Sequence, residues 1–189
     1  KPASRVTLGL KELWSYRELI FFFTWRDIKI KYKQTFLGAA WAVIQPLLLM
    51  GIFTLFFARA LKMDSGSLPY PLFVFSGLIL WNVFSTGLFN AGNSMVVNAN
   101  IIKKIYFPRL IIPIASILAS LVDFAVTLVL LIGLLLYYHV SIEPISFSIR
   151  AIGALFLTLL TTFGAGTFLA ALNVKYRDFR YIIPFAIQI

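Results

Sequence analysis

The chain has 189 residues, 60% of them hydrophobic, 16% aromatic and only 13% charged, with a formal charge of +10. A water-soluble domain carries roughly a quarter of its residues as charges, and the apolar residues here gather in long runs that a soluble core does not require, so the composition reads as an integral membrane protein. It excludes disulfide and thiolate chemistry, because there is no cysteine, and it leaves no soluble domain on which a nucleic-acid-binding face could sit.

Residues 1–9 read as a polar arm. In residues 10–35, Leu10, Leu13, Trp14, Phe21, Trp25, Ile28 and Tyr32 follow helical spacings and form one stripe. Lys11, Glu12, Glu18, Arg26, Lys29 and Lys33 mostly lie off it. Such a helix is expected to rest in the headgroup plane with its aromatics toward the acyl chains; the other readings are an ordinary amphipathic helix packed on protein and, from the period-two alternation of residues 28–33, a short strand. Residues 36–58 then run without a charge, long enough for a helix to cross a bilayer, which takes roughly 20 residues. Pro46 is expected to bend this first span. A short turn-forming loop with Ser65, Gly66 and Ser67 leads to a second span at 72–95. Its later half carries Asn82, Ser85, Thr86, Asn90, Asn93 and Ser94, side chains that face either other helices or a wet path.

Residues 96–109 form a polar-basic connection. Asn98 or Asn100 is placed to cap a short helix and Pro108 to end it. Ile101, Ile102, Ile105 and Tyr106 then make an apolar face, suited either to a groove on a soluble partner or to the protein's own surface. The third span, 110–138, holds Asp123 near its middle. A carboxylate there costs about 2.5–3.5 kcal/mol unless it is neutral, paired or wetted, so Asp123 is a candidate site or a packing lock. Residues 139–150 read as a loop containing the sole histidine, His139. The fourth span, 151–172, has Gly164, Gly166, Ala170 and Ala171 for close helix contact. A fifth apolar run starts at about Tyr181 and is still open at Ile189, and the first residue is Lys1, so a truncated stretch of a longer protein is expected.

Lys and Arg are distributed unevenly. Eight precede the first span, three lie between spans two and three, and three follow span four, against three in the two opposite loops. The positive-inside rule puts the fourteen in the cytoplasm, and the N-terminus with them.

No P-loop, G-x-S-x-G or H-E-x-x-H pattern occurs, and no close pair of carboxylates lies in the spans. One intramembrane acid is few for an ion-coupled carrier. A chain with no energy source and two aromatic-basic cytoplasmic segments suggests a pore subunit driven by another protein.

Two stretches carry a resemblance. Residues 25–41, Trp-Arg-Asp-Ile-Lys-Ile-Lys-Tyr-Lys-Gln-Thr-Phe-Leu-Gly-Ala-Ala-Trp, followed by Gln45 and Pro46, are one. Residues 172–185, Leu-Asn-Val-Lys-Tyr-Arg-Asp-Phe-Arg-Tyr-Ile-Ile-Pro-Phe, are the other. With four spans in register between them, the chain resembles ABC-2 type permeases that export O-antigen, capsule or teichoic acid polysaccharides. The resemblance implies an all-α membrane bundle of six spans, of which four and the start of a fifth are present. Residues 1–35 would be a cytoplasmic arm and interface helix, and 36–189 the transmembrane domain.

It also implies a homodimer that pairs with a separate ATPase. That subunit would bind ATP and Mg, with no cofactor in this chain. The cargo would be lipid-linked polysaccharide, crossing the bacterial cytoplasmic (inner) membrane. Asn98, Asn100, Ile101, Ile102, Lys103, Lys104, Ile105, Tyr106 and Phe107 would match the ATPase-coupling helix. Arg26, Asp27, Lys29, Lys31, Arg177, Asp178 and Arg180 would stand at the cytoplasmic entrance, toward carrier pyrophosphate or anionic membrane lipid. Trp41, Phe53, Phe56, Phe57, Trp81 and Phe84 are candidates for a lining on which a sliding glycan stacks, or else face lipid. Other readings are an ABC-2 permease for a drug or lipid, a membrane enzyme acting on lipid-linked sugars through Asp27 or Asp178, and an ion channel. The last lacks a charged or carbonyl-lined filter.

Overall fold

The computed structural model describes residues 10–33, 38–60, 68–140, 143–176 and 178–188, which form helices and their connections. In chain order the helices are α1 (Leu10–Ser15), α2 (Arg17–Lys33), α3 (Gly38–Phe53), α4 (Tyr70–Val97), α5 (Ala99–Lys104), α6 (Ile111–Tyr137), α7 (Pro144–Lys175) and α8 (Phe179–Gln188). A π-helical stretch, Thr54–Ala60, extends α3. Among the described residues, four stretches are long and apolar enough to cross a membrane: Ala40–Ala58, Tyr70–Val97, Ile111–Tyr137 and Ile145–Lys175.

α4 is the central post, with α6 and α7 packed along it. Small residues permit this. A Cβ on Gly166 would stand 2.9 Å from the Ala91 Cβ, and one on Gly87 would stand 2.8 Å from the Thr162 Cγ2, so only glycine allows this approach of α7 to α4. Asn173 near the end of α7 locks the same seam: its Nδ2 donates to the Gly92 carbonyl at 2.9 Å and to the Asn93 Oδ1 at 3.1 Å. In α3, Pro46 sits within continuous helix, and the irregularity falls later, in the π-helical stretch, where the Thr54 hydroxyl donates to the Met50 carbonyl.

α7 begins at Pro144, seven residues before the expected start of span four. Proline at the first helical position costs no hydrogen bond, and the helix continues through Ser146, Ser148 and Arg150 on the polar side of the boundary. Apolar content marks the hydrocarbon, whereas the helix outlasts it.

α2 packs on the protein itself, against α6. Thr24 donates to the Ala115 carbonyl, Asp27 accepts from Ser116, and Lys31 and Tyr32 both donate to Asp123. The residue offset stays close to 91 throughout, so α2 runs parallel to the first half of α6, side by side with it, and does not lie flat across it. At 1.5 Å per residue, Asp123 is about 18 Å along α6 from Ile111, and the end of α2 reaches that level. Trp14, Phe21 and Trp25 of the apolar stripe are exposed, but Leu13 packs inward and Tyr32 is turned to Asp123.

Candidate functional site

A crevice of about 590 Å³ opens between α2, α4 and α6 at the end of the bundle that carries α5. α2 contributes Arg26, Asp27 and Lys31, α4 contributes Thr86, Asn90, Asn93 and Ser94, with Asn98 just beyond it, and α6 contributes Ser116 and Ser120. The polar half of span two thus lines a cavity as well as bonding helices.

The charges in this crevice are internally paired. The Arg26 guanidinium meets the Asp27 carboxylate at 2.7 Å and lies 4.8 Å over the Phe23 ring. The other Asp27 oxygen accepts from the Ser116 hydroxyl at 3.3 Å. Deeper, the Lys31 ammonium and the Tyr32 phenol grip one oxygen each of Asp123. Asp123 is therefore a partnered carboxylate in a span, ion-paired and hydrogen-bonded across two helices, and it fastens α2 to α6. Burial pushes the Tyr32 phenol well above its usual range, and the bond to Asp123 and the charge there push the same way. Tyr32 stays a neutral donor. Lys29 is exposed on the outer side of α2.

Two further entrance candidates are set apart by the fold. Asp178 and Arg180 are exposed at the start of α8, which packs on α4 and α7, and they do not line the crevice. Arg177 lies outside the described residues.

Residues 98–107, around α5, divide into an inner and an outer side. Asn98 is at the N-cap position of α5 but makes no cap bond. Its Nδ2 donates back to the Ser94 carbonyl at 2.8 Å, and it is buried. Phe107 is buried 5.8 Å from the Phe23 ring, in a cluster with Ile111, Ile112 and Ala115, against which Ile101 and Ile102 also pack. Those four side chains hold α5 on its own protein, Ile101 and Ile102 while half-buried. The helix ends at Lys104 and Ile105 is extended, which swings Ile105 and Tyr106 outward, Tyr106 to 94% exposure. Asn100, Lys103 and Lys104 are exposed beside them. A face drawn by continuing helical spacing through Ile105 and Tyr106 fails because the helix has already stopped.

The aromatic candidates do not converge on one cavity. Phe53 stacks on Phe57 at 5.5 Å, and Trp81 tilts against Phe84 at 5.8 Å, on different helices. Trp41, Phe53, Phe56 and Trp81 are exposed on the surface of the bundle.

Tyr32 and Asn173 lie in the two stretches that carry the resemblance, but neither is a site candidate in the sequence. Each is bonded to residues some 80 or 90 positions away. A tyrosine beside a lysine at a membrane boundary, and an asparagine closing an apolar run, are the only local signs of either.

The ABC-2 type transporter pattern matches residues 18–189. The chain belongs to the ABC-2 type transporter family. Four apolar helices in this family make it a multi-pass membrane protein. It is 28% identical over 180 residues to the O-antigen export system permease protein RfbA of Myxococcus xanthus, covering 92% of this chain and 65% of that protein. It is also 29% identical over 175 residues to the protein of the same name from Klebsiella pneumoniae, covering 91% of this chain and again 65% of the relative. The ABC-2 chain described here thus spans just under two thirds of the curated relatives it matches.

Proposed function

We propose that this chain is part of the membrane-spanning permease subunit of an ATP-driven exporter that moves lipid-linked polysaccharide, of O-antigen, capsule or teichoic acid type, across the bacterial inner membrane. The observation that carries the reading is the similarity to two O-antigen export permeases along more than nine tenths of the chain. The permease transports and does not catalyse, and hydrolysis of Mg-bound ATP belongs to a separate subunit. Two permease copies enclose the path. The exposed rings of Trp41, Phe53, Phe56 and Trp81 support that arrangement, since a lining built from surface aromatics needs a second surface opposite it. The side bearing α2 and α5 is cytoplasmic, which the excess of Lys and Arg there supports.

The ATPase docks on Asn100, Lys103, Lys104, Ile105 and Tyr106, the outward part of the α5 segment. Phe107, Asn98, Ile101 and Ile102 set its position from within. The crevice between α2, α4 and α6 stands beside the entrance. Its pairing of Arg26 with Asp27 and of Lys31 with Asp123 leaves it polar but nearly neutral, suited to sugar hydroxyls and amides more than to bare phosphate.

The test is transport by the full-length protein in vesicles loaded with lipid-linked glycan on the outside. With a co-purified P-loop ATPase and ATP, glycan becomes protected from external glycosidase. Uptake without the ATPase overturns the reading, and so does a protein that purifies intact and alone.

A further inference from the structure

A second cavity, of about 540 Å³, lies at the other end of the bundle, between the first half of α4, the second half of α6 and the start of α7. Its wall is apolar: Leu72, Ile79, Leu128, Leu131 and Phe147. Its rim carries Glu143, just before α7, and Ser146 and Arg150 of α7. Glu143, extended at the N-cap position, and Arg150 both line this rim, seven residues or about 10.5 Å apart along the axis. The carboxylate is at the outer end, at the N-cap position, and the guanidinium is nearer the hydrocarbon, at the inner edge of the polar turn that opens α7. Arg150 donates to the Ser146 hydroxyl, one turn outward, so its head is drawn toward the boundary. Among the described residues it has no carboxylate partner.

We propose that this cavity binds one acyl chain of a zwitterionic phospholipid, with a phosphoethanolamine head, from the leaflet opposite the basic segments. Three observations converge on that occupant. First, the wall is apolar and lies within the span, where the solvent is acyl chain. At about 30 Å³ per methylene, close to the share of a water in the liquid, 540 Å³ takes one ordinary chain and not two. Second, Arg150 stands at the polar boundary of the span with no carboxylate partner among the described residues, and a phosphate accepts the forked bonds of a guanidinium well. Third, the carboxylate stands further out than the guanidinium, matching a head whose phosphate is deeper than its ammonium. A purely anionic head would meet Arg150 but be repelled by Glu143.

The bland account is that Glu143 complements the α7 dipole and Arg150 merely snorkels. That account gives no preference among lipids, and the test rests on that difference.

The full-length protein, with any subunits that stay bound, is delipidated in mild detergent and examined by native mass spectrometry. Phosphatidylethanolamine, phosphatidylglycerol and polyprenyl phosphate are titrated separately. One phosphatidylethanolamine per protomer is expected, retained about tenfold better than either of the others. Arg150→Gln should weaken it by about tenfold or more. Glu143→Gln should leave binding in place but erase the preference over phosphatidylglycerol. Ala154→Phe, which fills the cavity, should abolish retention with little change in melting temperature. Equal retention of the two phospholipids by the unaltered protein overturns the proposal. So does tighter binding of polyprenyl phosphate, or no bound lipid because the rest of the chain occupies the cavity. Glu143 is exposed, so its variant tests the idea even if Arg150→Gln does not fold.

Discussion

Removing Lys31 should loosen α2 from α6, and part of the loss should be recovered when Asp123 is neutralised as well. The Asp123 side chain is 10% exposed and that of Lys31 is 46% exposed. Breaking a fully buried pair by deleting one partner costs about 3–5 kcal/mol, but solvent already shares the Lys31 ammonium, so about 2 kcal/mol is expected for Lys31→Ala. Tyr32→Phe removes a bond to a charged acceptor, about 1.5–3 kcal/mol. Asp123→Asn keeps the shape, still accepts from Tyr32 and leaves an ammonium that can reach water, so about 1 kcal/mol follows. In the double variant Lys31→Ala, Asp123→Asn, no unpaired carboxylate remains in the span, and the coupling between the two changes should be about 1–2 kcal/mol. The readout is thermal unfolding of the full-length protein in one fixed detergent, where 1 kcal/mol corresponds to about 2–4 °C for a chain of this size. Lys31→Ala should therefore melt about 4–8 °C lower, with the double variant recovering part of that. Strictly additive losses, or a Lys31→Ala protein as stable as the parent, would refute the idea that this pair fastens the two helices.

Gly166→Val should force α7 off α4 against Ala91 and lower stability by about 1–3 kcal/mol, seen as earlier melting or as loss of the folded peak in size-exclusion chromatography. Asn173→Leu leaves Asn93 without its cross-helix donor in a buried seam and should cost about 1–3 kcal/mol by the same measurement. Tyr106→Ser should leave melting unchanged, because the side chain is 94% exposed, while reducing co-purification of the proposed ATPase. Tyr32 gives a pH prediction with a definite sign. The folded state holds the phenolic proton more tightly than the unfolded chain, so its contribution is complete below about pH 10 and lost as the pH rises beyond that. The melting difference between Tyr32→Phe and the parent should accordingly stay constant from about pH 6 to pH 9.

The spans were legible because hydrocarbon imposes a composition on whatever crosses it. The expected limits 72–95 and 110–138 fall within two residues of α4 and α6. The start of α7 was not legible, because Pro144 and the polar turn after it belong to a helix but not to the hydrocarbon. Asp123 stood out as a costly group, yet nothing near it in the chain names Lys31 and Tyr32, which lie about 91 residues earlier. The basic stretch holding them reads as topology signal or headgroup contact. The parallel run of α2 beside α6 decides otherwise for Lys31, and no periodicity in α2 encodes it. In the α5 segment the apolar residues were recognised but their sides were not. Ile101 and Ile102 turn inward and Ile105 outward because the helix ends between them, and helix length is the least legible property of so short an element.

The packing connects these features mechanically. The Phe23 ring of α2 touches the Phe107 ring after α5, and both sit on Ile111 and Ala115 at the start of α6. Eight residues further along α2, Lys31 and Tyr32 fasten it to Asp123. A close-packed cluster at one end and an ion pair at the other make α2, α5 and the first half of α6 move together, since packed side chains transmit a displacement and do not absorb it. A push on Ile105 and Tyr106 therefore reaches the level of Asp123, about 18 Å along α6, through α2 as well as through α6 itself. The crevice beside Arg26 and Asp27 lies between this unit and α4, so its width is the dimension that such a displacement changes first.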